Sequence, residues 1–144
     1  MEVRPALPDD ADAVADVFTP SFRSLTFLPA LHTPDEDRAY IRGRVERGEV
    51  WVAVEDGRIV GMASLAEGVL GHLYVHPEAQ GRGAGSALLD RAKELCPDGF
   101  TFWVFQQNGD ARRFYERRDC RLVLLTDGAD NEERTPDALY EWRP

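Results

Sequence analysis

Residues 73–89 carry the pattern with the clearest chemistry: Leu73-Tyr74-Val75-His76-Pro77-Glu78-Ala79-Gln80-Gly81-Arg82-Gly83-Ala84-Gly85-Ser86-Ala87-Leu88-Leu89. A buried strand is stopped by a proline, a glycine-rich loop follows, and an amphipathic helix takes over. Glycine at every second position leaves the backbone between Gln80 and Ser86 nearly bare. Successive N–H groups there can converge on one small volume, and the next helix adds its positive dipole end. Such a cradle suits an anion, phosphate above all. Two familiar phosphate loops do not fit. The mononucleotide loop needs a lysine and a hydroxyl residue at the helix start, and Gly85-Ser86-Ala87 has no lysine. The dinucleotide fingerprint needs glycine at its first, third and sixth positions; the sixth is Ser86 counted from Gly81, and Leu88 counted from Gly83.

The sequence Gln80-x-x-Gly83-x-Gly85, after a strand ending Val75-x-Pro77, resembles the acyl-coenzyme A loop of the GNAT superfamily of N-acetyltransferases. The resemblance covers most of the chain: an N-terminal strand and helix, a hairpin, this loop and helix, and a later helix with Asn108 and Phe114-Tyr115-Glu116. It implies a single domain over residues 1–144, of α/β (α+β) class. Its sheet would be mixed and largely antiparallel, of six to seven strands, with a V-shaped splay between two parallel strands at 69–75 and 100–105. About four helices would flank it.

The same resemblance implies acetyl-CoA as cofactor. The amides of Gly81, Arg82, Gly83, Ala84, Gly85 and Ser86, with Gln80 beside them, would hold its pyrophosphate. The backbone of Leu73 and Val75 would bond the pantetheine arm lying in the splay, and an N–H near Val75 would polarise the thioester carbonyl. Asn108 and Phe114 would meet the cofactor arm. Tyr115 would be the acid: a phenol near pKa ~10 stays protonated at neutral pH and so holds a proton it could give to the departing thiolate, whose own thiol is near ~8.5. The bland alternative is a tyrosine that caps the core. The reaction implied is direct transfer, in a ternary complex, to a primary amine of a small molecule or peptide. The alternative is a non-catalytic acyl-CoA-binding sensor. A homodimer fits the family, with no residue pointing to the surface.

The general base is not fixed. The family often places a carboxylate or histidine on the strand before the loop, at positions matching Val69 or Gly71, and this chain has neither. His72 is adjacent, but strand alternation sets it with Tyr74 on the opposite face unless a bulge intervenes. His32 and Glu67 sit at loop edges, and water is the remaining candidate. The acceptor pocket is expected between residues 19–33 and 127–137, where Asp127, Asp130, Glu132 and Glu133 either draw a cationic amine or merely coat a turn.

The elements that must hold these groups follow from periodicity. Val3–Ala6 reads as an edge strand limited by its proline. A helix opens at Pro8-Asp9-Asp10 with Asp10 as N-cap, buries Ala11, Val14, Val17 and Phe18, and ends at Thr19-Pro20. Residues 19–33 form an apolar loop that lines a pocket or covers the sheet. Thr33-Pro34-Asp35-Glu36 is a capping box opening a helix stopped at Gly48. Its arginines 38, 42, 44 and 47 read as a solvated face. Two strands flank Asp56-Gly57, a type I′ hairpin signal. A strand over 69–75, a helix over 86–95 and a strand over 100–105 make a right-handed crossover. Asn108 caps a short helix from Gly109, and strands at 120–125 and 138–142 close the fold.

Composition narrows the class. A chain of 144 residues can bury a real core. The net charge of −9 disfavours nucleic acid. Cys96 and Cys120 make no disulfide framework, no Cys/His spacing suggests a metal, and neither thiol sits where an acyl intermediate is expected. No leader and no long apolar run is found, so a cytoplasmic protein is expected, without membrane partners.

Overall fold

The computed structural model describes residues 1–144. Seven strands form one sheet in the order β1-β2-β3-β4-β5-β7-β6: β1 Glu2–Pro5, β2 Val50–Glu55, β3 Arg58–Ala66, β4 Val69–Val75, β5 Phe100–Phe105, β6 Cys120–Leu125 and β7 Asp137–Trp142. Every neighbouring pair is antiparallel except β4 and β5. That parallel pair holds at Val69 opposite Thr101, with the Thr101 N–H donating to Gly68 O, and then diverges. The expected V is present. It opens toward the C-terminal ends of both strands, where the cradle begins.

Four α-helices cover the two faces: α1 Ala11–Arg23, α2 Pro34–Glu46, α3 Ala84–Leu95 and α4 Gly109–Glu116. On one face, Val14, Val17 and Phe18 of α1 and Ile41 and Val45 of α2 pack against Val50, Val52 and Met62. On the other, Leu88, Leu89 and Ala92 of α3 and Tyr115 of α4 pack against Ala63, Leu70, Phe100, Phe102 and Tyr140. The hairpin turn has positive φ at both Asp56 and Gly57, as its type requires. Thr33 accepts from Glu36 N–H and Glu36 accepts from Thr33 N–H, completing the capping box.

Three expectations need correction. First, α1 does not stop at Thr19-Pro20; it runs through Pro20 to Arg23. Proline forfeits one helical bond, but Phe18 and Ser21 bury the same face on either side, and Ser24 N–H donates to Pro20 O. Second, Asp10 does not cap α1 with its side chain. Its carboxylate pairs with Arg4 at 2.8 Å and accepts from Leu7 N–H, fixing a short 3-10 turn instead. Third, α3 begins two residues earlier than expected, at Ala84.

Candidate active site

The cradle is built from backbone. Gly81 and Gly83 adopt positive φ (81° and 92°), and nothing lies within 4 Å of where a Cβ would stand. No group in the chain accepts from the N–H groups of Gly81 to Ser86, and no side chain caps α3. The first N–H groups of a helix have no intrahelical partner, and they carry its positive dipole end. Bare loop, open space and free donors fit a pyrophosphate. Gly85 has a different reason: a Cβ there would stand 3.2 Å from Phe114 Cζ, so its absence lets α4 close against α3.

A cation that sequence reasoning passed over completes this corner. The Arg118 guanidinium donates to Ser86 Oγ at 3.0 Å and to Phe114 O at 2.9 Å, and stacks on the Phe114 ring at 3.9 Å. The sequence signal was only its shared helix face with Phe114 and Tyr115. Arg82 turns away and pairs with Glu55 at 2.8 Å. The Gln80 amide donates to Val75 O at 3.3 Å, and Ser21 Oγ donates to the same carbonyl at 3.2 Å. Both side chains thereby fix the last residue of β4. Ser21 had no sequence signal, because it lies beyond the proline that was expected to end its helix.

Tyr115 is 7 % exposed and lies against Phe102, ring centroids 4.3 Å apart. Burial pushes its phenol above the ordinary range, and Tyr74 and Cys120 add to the shift. Its hydroxyl has no hydrogen-bond partner in the chain, and neither has that of Tyr74, whose phenol burial also raises. Asn108 caps α4 through Ala111 N–H at 3.2 Å. Leu73 and Val75 point toward the α3 side of the sheet. Cys120 is buried and its thiol is pushed up to about 11, so it rests protonated.

The candidate bases separate clearly. A bulge does intervene in β4: Leu65 faces Leu70 and Ser64 faces His72, leaving Gly71 unpaired. His72 nevertheless remains on the α1 side with Tyr74, boxed in by Phe18 and Tyr40. Its Nδ1 meets Ser64 Oγ at 2.8 Å and its Nε2 meets the Tyr40 hydroxyl at 3.4 Å. Burial, helped by the Arg44 charge, lowers it to about 4. It is neutral at pH 7, with both nitrogens engaged. Arg44 is therefore not on a wet face as expected: its guanidinium folds over Gly71, at 3.2 Å from a Cβ there, and reaches Glu49 at 3.3 Å. Glu67 is exposed at the closed end of the V, the length of β4 (about 20 Å) from the cradle.

His32 lies elsewhere, between the two loops where the acceptor pocket is expected. A cavity of about 280 Å³ is lined by Phe22, Leu25, Leu28, Leu31, His32, Asp37 and Glu133. A second, about 430 Å³, is lined by Trp103, Phe105, Asp127, Asp130, Asn131 and Glu133. Glu133 lines both. His32 Nε2 sits 2.5 Å from Glu132 Oε1, joining the loop after α1 to the loop before β7. That contact raises His32 above its ordinary value. Asp137, 8 % exposed, accepts from Thr126 Oγ1 and from Asn131 Nδ2, which anchors the second loop. Glu132 is committed to His32 and Asp37 to Thr19. Glu133 makes no ion pair and no side-chain hydrogen bond.

Residues 46–119, from the end of α2 through α4, match the family model described as Acetyltransferase (GNAT) domain. The chain is 32% identical over 147 residues to an uncharacterised N-acetyltransferase of Archaeoglobus fulgidus, covering 84% of this chain and 93% of that one. It is 33% identical over 93 residues to the peptidyl-lysine N-acetyltransferase YiaC of Escherichia coli, covering 64% of this chain and 62% of that protein. The PaiA N-acetyltransferase of Thermoplasma acidophilum, solved in complex with coenzyme A, superimposes with a TM-score of 0.71 at 16% identity, over 99% of this chain and 98% of that one. With the splayed β4–β5 pair and the glycine loop at its open end, these findings place the chain in the GNAT family of N-acetyltransferases, as an acyltransferase.

Proposed function

We propose that this protein is an acetyl-CoA-dependent N-acetyltransferase that transfers the acetyl group directly to a cationic primary amine of a small molecule or peptide. The observation that carries the reading is the side-chain-free cradle at the open end of the V, with Tyr115 near it, its ring buried and its hydroxyl without a hydrogen-bond partner in the chain. Acetyl-CoA, when bound, supplies an acyl carbon activated as a thioester. Residues 81–86 hold the pyrophosphate through backbone N–H groups, and Arg118 adds a positive charge. The open edge of β4 at Leu73, and the N–H of Val75, whose carbonyl already accepts from Gln80 and Ser21, would orient the pantetheine arm.

Asn108 and Phe114 set α4 and with it Tyr115. Acyl transfer would make a C–N bond and break the C–S bond, and the Tyr115 hydroxyl would give its proton to the leaving thiolate. Its raised pKa keeps that proton in place until then. Glu133 pairs with the ammonium form of the acceptor, which loses one proton before attack and one after. One of those protons would return through water to Tyr115, and the other would pass to Glu133 or to water. His72 positions β4 and takes no proton. Peptide lysine is an acceptor within this class, by likeness to the activity YiaC is named for. No helix is long and apolar enough to cross a membrane; a cytoplasmic setting is part of the proposal.

Calorimetric titration with acetyl-CoA, on the wild type and on Gly83→Asp, tests the reading. Binding by the wild type alone, with both proteins showing the same circular dichroism, supports the cradle. No binding by a folded wild type overturns the proposal. Binding without thiol release, across polyamines, amino acids and lysine peptides, would leave a binding module.

A further inference from the structure

A helix of eight residues, such as α4, gains little from propensity and takes its direction from what it is tied to. One side chain ties α4 to the sheet. The Tyr140 hydroxyl of β7 accepts from Arg112 Nε at 3.0 Å and donates to the Glu116 carboxylate. No other hydrogen bond joins α4 to a strand. Tyr140 is fully buried, and a buried hydroxyl left without partners is costly. Here it uses its donor and an acceptor site together. Arg112 and Glu116 stand four positions apart, neighbours along one face of the helix. A single oxygen gripping both fixes the rotation of α4 about its own axis as well as its distance from β7.

Tyr115 lies inside that grip, three positions after Arg112 and one before Glu116. The rings continue the link. Tyr140 stacks on Phe102 with centroids 5.7 Å apart and 13° between planes, and Phe102 in turn meets Tyr115 at 4.3 Å. The Tyr115 hydroxyl has no hydrogen bond of its own in the chain, so its direction is inherited from the helix and from Phe102. Asn108 caps the start of α4, and Phe114 rests against Gly85 of α3; neither contact reaches the sheet.

On the reading of Tyr115 as the acid, we propose that Tyr140 is a positioning residue for acetyl transfer: by holding Arg112 and Glu116 together it sets the rotation of α4 and aims the Tyr115 hydroxyl at the leaving sulfur. Proton transfer needs heavy atoms within about 2.6–3.2 Å, and a displacement of ~1 Å costs up to ~10²-fold in rate. Loosening α4 therefore lowers the rate and spares cofactor affinity, because the cradle is built on α3 and the loop before it.

Two variants release the grip. Tyr140→Phe keeps the ring and removes the oxygen; Glu116→Ala acts from an exposed position and carries the same test should Tyr140→Phe fold poorly. Amide hydrogen exchange reads the geometry without an acceptor: over residues 111–117 it should quicken about tenfold in either variant, with β2 and β3 unchanged. With poly-L-lysine as the amine, kcat for thiol release from acetyl-CoA should fall about tenfold, with acetyl-CoA affinity held within twofold. In a Tyr115→Phe background the same change should move kcat less than about twofold, since no proton is left to aim. A merely structural Tyr140 would cost the same factor in both backgrounds. Unchanged exchange in α4, a kcat that Tyr115→Phe lowers and Tyr140→Phe does not, or equal losses in both backgrounds overturns the positioning role and leaves Tyr115 as the acid. A kcat indifferent to Tyr115→Phe, or a wild type that binds acetyl-CoA and releases no thiol with this or any of the amines above, removes the acid and the positioning role together.

Discussion

At the proposed cradle, seven consecutive residues, Gln80 to Ser86, would present mainly backbone to the cofactor; at the proposed acceptor mouth, the lining comes from Phe22–His32, Trp103–Phe105 and Thr126–Asp137 and presents side chains. The first needs little more than φ angles open to glycine and a helix behind it. The second needs three stretches far apart in the chain to arrive together, tied by a His32–Glu132 contact and by the Asp137 anchor. In the proposed function, one end recognises an invariant group that every acetyl transfer from this cofactor shares. The other can change side chain by side chain while the cofactor end stays fixed. Their tolerance to mutation should differ accordingly.

The largest effect is expected where the glycine loop is filled. Gly83→Asp puts a carboxylate and a strained φ into the cradle and should weaken acetyl-CoA binding by ~100-fold or more, read by calorimetry, with the fold retained because the space is open. Gly128→Ala makes the opposite case. A Cβ there would stand 2.3 Å from the Thr135 backbone, so this substitution should lower the melting temperature markedly and spare acetyl-CoA affinity in the protein that remains folded. Equal effects on affinity from the two would break the contrast.

Tyr115→Phe should lower kcat by about 10²-fold, the usual contribution of a positioned acid, with acetyl-CoA affinity unchanged. Unchanged turnover would return Tyr115 to the core. Glu133→Gln should raise KM for a cationic acceptor about tenfold and leave acetyl-CoA affinity alone, and the difference should shrink with added salt. The smallest effect is in pH. His32 is raised by Glu132, so their contact is fully present below the ordinary value of 6.5 and is lost as pH rises through the raised one. NMR titration should place His32 above 6.5, and Glu132→Gln should return it toward that value.

The contrast also decides how much could be read in advance. The cradle, the Asp56-Gly57 hairpin, the Thr33 cap and the Asn108 cap were legible because each is local: the residues that signal it lie within a few positions of the geometry they impose. The parallel β4–β5 pair was legible at one remove, through the hand of the crossover. What escaped notice is carried by distance. Arg118 reaches Ser86 across 32 positions, and His32 meets Glu132 across 100. No spacing rule joins such pairs. Pro20 misled for another reason: a local penalty on the helix was outweighed by burial of Phe18 and Ser21 on either side of it. Arg44 read as a solvated side chain because its long stem hid that Gly71, on another element, leaves a place for its guanidinium.

Trp103 has a practical consequence. Of the three tryptophans, Trp51 and Trp142 are half-buried, under Arg91 and Lys93 respectively. Trp103 is half open to solvent and lines the larger of the two cavities proposed to take the acceptor. Much of the change in ultraviolet emission on adding an amine should therefore arise from one ring at one end of the V. With Trp103→Phe as the blank, the protein carries its own optical probe of acceptor occupancy, and libraries of amines can be ranked by fluorescence before any assay of turnover is built.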